Sequence, residues 1–96
     1  MVIEIMRFRL APGADAASFV LADRRVQVDF AYGQEGLLRR TTARSEGGEW
    51  IVMDLWRSEQ EADACADHRE DDHITAQFMS FIEATTVRTE RYATPD

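Results

Sequence analysis

The sequence predicts an α+β fold of ferredoxin-like topology, β-α-β-β-α-β, with helices covering one face of a four-stranded antiparallel sheet. Three observations carry that reading. Gly36 to Ser58 (GLLRRTTARSEGGEWIVMDLWRS) forms two arms rich in Val, Ile, Thr, Leu and Trp, joined at Gly47-Gly48, where a two-residue hairpin loop wants positive φ. The segments before and after this hairpin carry apolar residues at helical spacing. A β-branched or alternating stretch then stands near each end of the chain.

In chain order, Val2 to Leu10 (VIEIMRFRL) is a strand by its β-branched and apolar content, stopped by Ala11-Pro12-Gly13. Asp15 is placed to cap a helix of about four turns on which Phe19, Ala22, Val26 and Phe30 recur. Tyr32 to Gly36 loops into the hairpin. Ser58-Glu59-Gln60-Glu61 matches a capping box and opens a short Ala-rich helix to about His68. Asp71 or Asp72 caps another, with Ile74, Phe78, Phe81 and Ile82 as its apolar stripe. Thr85 to Tyr92 (TTVRTERY) alternates as a last strand.

Residues 1–96 are expected to form a single domain, since this length is near the low end of what buries one adequate core. Cys65 is the one cysteine, which excludes an intrachain disulfide or a cysteine-rich zinc site and fits a reducing, cytoplasmic setting. No leader or apolar run of membrane-spanning length is visible, so a soluble protein without a membrane partner is expected. The formal charge is −7, with acids crowded between Glu59 and Asp72 and only Arg69 opposing them. Such a surface repels phosphate backbones and argues against a nucleic-acid partner. Every basic residue is Arg, and the chain holds neither Lys nor Asn; a Schiff-base lysine is thereby excluded.

Both faces of the sheet want burial. Trp50, Val52 and Trp56 share one parity of their strand and Ile51, Met53 and Leu55 the other; Val2, Met6 and Phe8 oppose Ile3 and Ile5 in the same way. Helices cover one face only, so a homodimer with two sheets packed face to face is the expected solution for the other.

This topology, together with Gly36-Leu37-Leu38, Asp54-Leu55-Trp56-Arg57-Ser58 and His68…His73, resembles the antibiotic-biosynthesis-monooxygenase-like family of dimeric α+β barrels. The resemblance covers nearly the whole chain. Asp54 stands where that family often has Glu, and the Trp56 to His68 interval is about one helical turn longer than its pattern. It implies a small apolar cavity between sheet and helices that can hold a polycyclic aromatic, a quinol or a haem. Cofactor-free oxygenation of aromatics and haem degradation both lean on an Asn in that family, and this chain has none. The haem degraders' Trp ten residues before a His is also missing, since Ser58 and Asp63 hold those places. Haem degradation is therefore disfavoured.

The resemblance points to a cofactor-independent monooxygenase of an aromatic or quinol-like substrate, needing no cofactor and no metal. His73, at the start of the last helix behind Asp71-Asp72, is the candidate base for ionising a phenol. Trp56 is the stacking platform, with Asp54, Tyr32, Phe78 and His68 as further substrate-binding candidates. Each has a structural reading beside it: His73 as part of its own helix cap, Trp56 as core, Asp54 as the partner of Arg7, Arg9 or Arg88, and Tyr32 as a loop staple. His68 and Asp72 would share one metal only if their helix were continuous. A non-catalytic dimeric binding domain, which the missing Asn favours, and an isomerase or cyclase working in the same pocket are the alternatives.

Overall fold

The computed structural model describes residues 1–95. Strands β1 (Val2–Phe8), β2 (Leu37–Arg44), β3 (Trp50–Trp56) and β4 (Arg88–Ala93) form one antiparallel sheet in the order β2-β3-β1-β4, with helices α1 (Ala16–Arg25), α2 (Glu59–Glu70) and α3 (His73–Met79). This is the ferredoxin-like arrangement that the element order predicts. No helix among the described residues is long and apolar enough to cross a membrane.

Capping sets the helix starts. Asp15 accepts from the Ser18 amide (3.1 Å) and hydroxyl (2.6 Å). Asp72, rather than Asp71, caps α3 by accepting from the Thr75 amide (2.7 Å) and hydroxyl (2.8 Å). Ser58 accepts from the Glu61 amide (3.3 Å), but the Glu61 carboxylate turns to Arg57 and to the Ser58 hydroxyl instead of closing a full box. Gly36 has a φ of +84°, a conformation that favours glycine, and a Cβ there would crowd the Glu61 carboxylate.

Three details differ from the expectation. The hairpin loop has three residues, not two: Gly48 donates to the Ser45 carbonyl (3.1 Å) and only Gly48 has positive φ, a type I turn closed by a left-handed glycine. After Arg25 the first helix widens into a π-helical turn, Val26–Phe30, before a 3₁₀ turn, Ala31–Gly33. Apolar spacing of four suits either winding, so the sequence does not announce the change. The last strand begins at Arg88 because Thr86 is held back, its hydroxyl accepting from the Arg9 amide (2.9 Å) and donating to the Glu83 carbonyl (2.7 Å).

On the helix-covered face, Phe8, Phe19, Trp50 and Phe78 make an aromatic cluster with ring centroids 4.9 to 6.1 Å apart. Phe19 is its centre and is fully buried. The opposite face carries Ile3, Ile5, Ile51, Met53 and Leu55, each half-buried. Trp50 points to the helices and is no part of that second face.

Replacing Phe19 with Ala should cost about 3–5 kcal/mol, because it removes the ring that bridges Phe8, Trp50 and Phe78. Denaturant unfolding measures this as a lowered midpoint at unchanged slope.

Candidate functional site

Away from the aromatic cluster, the inner face of the sheet turns polar in one cross-strand row. Arg40 on β2 pairs in register with Asp54 on β3, Asp54 with Glu4 on β1, and Glu4 with Arg91 on β4. The row spans all four strands beneath the helices. Glu4 and Asp54 are buried and directly opposite one another, a placement that like charges resist.

Cations answer them from both flanks and from above. Arg91 Nε donates to Glu4 (2.8 Å) and its Nη1 to Asp63 (2.6 Å). Arg69, reaching down from α2, donates through Nη2 to Asp54 Oδ2 (3.2 Å) and lies 3.6 Å from Glu4. Arg40 is turned toward α1, donating to Asp23 (2.8 Å) and Gln27 (3.1 Å). The partner of Asp54 is thus Arg69, not Arg7, Arg9 or Arg88. Arg7 lies near Glu90, Arg9 donates to the Gly47 carbonyl, and Arg88 donates to Glu49.

Between this row and the helices lies a cavity of about 80 Å³. Val26, Phe30 and Ala31, from the π-helical turn and the residue after it, form one wall. Asp54, Arg69, Trp56 and Cys65 are among its polar and aromatic lining, and it reaches exposed residues at Met79 and Thr89. Two polar atoms here are buried without a hydrogen-bond partner: Asp54 Oδ1, an acceptor, and Trp56 Nε1, a donor. An unpartnered buried group of this kind costs about 1–3 kcal/mol, which a ligand able to bond it would recover.

Burial pushes the Asp54 carboxyl above the ordinary carboxylate range; Arg69 and Arg40 pull it back, and Glu4 adds to the rise. Burial likewise raises the Cys65 thiol, so it stands as a neutral wall rather than a nucleophile.

Of the residues singled out from the sequence, the fold brings Asp54, Trp56 and Phe78 together in the cavity wall. His73 does not join them. It is the exposed first residue of α3 and lines no part of the cavity, because it falls on the solvent side of a first turn whose buried side is taken by Ile74 and Thr75. Tyr32 is 72% exposed on the 3₁₀ turn. His68 is exposed too, but its Nδ1 donates to Gln34 Oε1 (2.9 Å), and Gln34 lines the cavity while donating to the Phe30 carbonyl (3.3 Å). The helix breaks at Asp71, so His68 and Asp72 do not share a continuous turn. A cavity this small, with neither histidine in its wall, does not fit a haem.

Glu4, Arg40 and Arg69 were not selected as site residues from sequence, although each leaves a trace there. Glu4 is a lone acid in an apolar strand, Arg40 is half of an Arg pair that must face both ways, and Arg69 is the single cation in an acidic segment.

No family model matches the chain, and no curated protein does either. Solved structures do resemble it. An Asn-to-Ala variant of SnoaB, a cofactor-independent oxygenase from Streptomyces nogalater, superposes with a TM-score of 0.79 at 14% identity, covering 99% of this chain and 93% of that one. An antibiotic biosynthesis monooxygenase gives 0.78 at 10% identity, with full coverage of both chains. Rv0793 from Mycobacterium tuberculosis gives 0.70 at 20% identity, covering 99% and 95%. The chain therefore has the fold of the antibiotic-biosynthesis-monooxygenase-like proteins; identities this low speak for the fold alone.

A neutral phenol that bonds both unpartnered atoms should raise the melting temperature in proportion to its binding. Saturation at about a hundred times its Kd adds about 2.7 kcal/mol. Trp56→Phe, which deletes one of the two atoms, should weaken that shift, and differential scanning fluorimetry reads both.

Proposed function

We propose that the protein takes a neutral, single-ring phenol or hydroquinone into this cavity and oxygenates it with dioxygen alone, using Asp54 as the base. The observation that carries this reading is the unpartnered pair, Asp54 Oδ1 and Trp56 Nε1, in the wall of one cavity. A hydroxyl can donate to the first and accept from the second. The charges around the cavity already balance as Arg40 with Asp23, Arg69 with Asp54 and Arg91 with Glu4. A neutral ligand keeps that balance, whereas a carboxylate would meet Asp54 and Glu4. The volume excludes several rings, and a single ring enters only as the cavity widens toward its exposed side at Met79 and Thr89; the fold shared with a cofactor-independent oxygenase supports the choice of dioxygen as co-reactant.

The chemistry closes without an outside reductant. Asp54 Oδ1 accepts the phenolic proton, and Trp56 Nε1 donates a hydrogen bond to the oxyanion that results. The electron-rich ring passes an electron to dioxygen, and the radical pair joins as a carbon–oxygen bond beside the phenolate carbon. Asp54 returns its proton to the peroxide. Loss of water then breaks the oxygen–oxygen bond and the ring C–H, leaving a carbonyl. A hydroquinone thus becomes a hydroxyquinone: one oxygen atom enters the ring, the other leaves as water, and the substrate supplies all four electrons.

Asp54→Asn should lower oxygen uptake by about two to four orders of magnitude, the usual cost of losing a general base. His73→Ala should leave it unchanged. Because a base works only when deprotonated, turnover should fall as pH drops through the Asp54 value, on a limb displaced above the ordinary carboxylate range. A panel of phenols and hydroquinones in an oxygen electrode measures this. Binding without uptake across the panel would transfer the protein to the class of non-catalytic binding domains, which the missing Asn favours.

The same reading includes a second copy of the chain over the outer sheet face, where Ile3, Ile5, Ile51, Met53 and Leu55 stand half-buried. Light scattering should give a twofold dimer at micromolar concentration. Met53→Asp, which would bury an unpaired carboxylate in that contact, should give a monomer.

A further inference from the structure

Resting on that assignment of Asp54, we propose that Arg69 is the positioning residue of the site: by standing between Asp54 and Glu4 it lets two facing carboxylates coexist, and holds one oxygen of Asp54 so that the other stays free for the substrate proton. Glu4 and Asp54 are register partners on adjacent strands and both are buried. Side chains so placed have Cβ atoms about 4.5–5.5 Å apart, close enough for each charge to oppose the other. Among the described residues only Arg69 reaches both, at 3.2 Å from Asp54 Oδ2 and 3.6 Å from Glu4 Oε1. The outer cations are already engaged, Arg40 by Asp23 and Arg91 by Glu4 and Asp63.

The geometry also says which oxygen works. Arg69 occupies Oδ2, whereas Oδ1 has no partner. The groups facing Asp54 are Glu4 from β1, Arg40 from β2, and Arg69 and Cys65 from α2; Arg91 of β4 acts through Glu4, and Asp23 of α1 through Arg40. From α3 the cavity receives Thr75, Phe78 and Met79, none of them charged. Arg69 is thus the one cation arriving from a helix that can be removed without unpairing an acid elsewhere in the row.

The test follows the Asp54 carboxyl directly by carbon-13 NMR through a pH titration of the full chain, assigned by its loss in Asp54→Asn. In Arg69→Met the Asp54 midpoint should rise by about one to three pH units, the span an adjacent cation commonly contributes. Adding Glu4→Gln to that variant should reverse part of the rise, and Arg69→Lys should stay near the wild-type midpoint. Glu4→Gln alone, with Arg69 intact, should lower the midpoint and gives a reading even if Arg69→Met does not fold. An unmoved midpoint in Arg69→Met, or in Glu4→Gln where the first variant is unfolded, overturns the proposal. Because this readout needs no turnover, a moved midpoint with no oxygen uptake in any protein would sink the oxygenase reading and leave the role of Arg69 standing.

Discussion

Two carboxylates facing each other across neighbouring strands in the interior set the terms for this molecule. Glu4 and Asp54 sit at the middle of the inner sheet face, where apolar residues would normally close the core. Burying one ionised carboxylate costs several kcal/mol, and burying two side by side adds their repulsion. Three arginines and the acids that hold them in place answer that cost. Arg91 ties β4 through Glu4 to β1 and through Asp63 to α2, Arg40 ties β2 to α1, and Arg69 ties α2 to β1 and β3. The polar row is therefore a cross-brace of the fold as well as the floor of a cavity.

That double duty explains the shape of the rest. At one end the sheet is sealed by Phe8, Phe19, Trp50 and Phe78, which need nothing from α2. At the other end α2 contributes few apolar residues, with Ala62 and Cys65 its buried positions, and reaches the sheet through charge. The cavity lies between the polar row and the helices, and the widened turn at Val26–Phe30 supplies one of its walls.

Much of the scaffold was legible from residue pattern. Phe19, Ala22, Val26 and Phe30 are all buried, as helical spacing requires, and the two-faced character of β1 and β3 is real. The site was legible only in part. Asp54 and Trp56 share a strand parity, so period-two reasoning places them together. Arg69 could not be assigned to Asp54 in that way, because which turn of α2 lies over which strand depends on tertiary packing rather than on spacing. The exposure of His73 was not legible for a related reason: a helix start tells where an imidazole sits along the chain, but not whether it takes the buried or the exposed side of the first turn. The π-helical turn left no local mark, since residues four apart serve both windings.

The shared fold leaves the chemistry to this chain's own side chains. Likeness at 10–20% identity carries the fold from one protein to another but not the side chains of a site. Here the lining holds no amide of asparagine and no imidazole, so under the proposed reading the proton of a bound phenol goes to a carboxylate. Under that reading Asp54 takes this role because it lines the cavity with one oxygen unpartnered and its burial raises its proton affinity. Glu4 does not, since Arg91 bonds one of its oxygens and Arg69 stands beside the other. The division of labour between two like groups rests on which of them has an oxygen to spare, and the positions of Arg69 and Arg91 decide that.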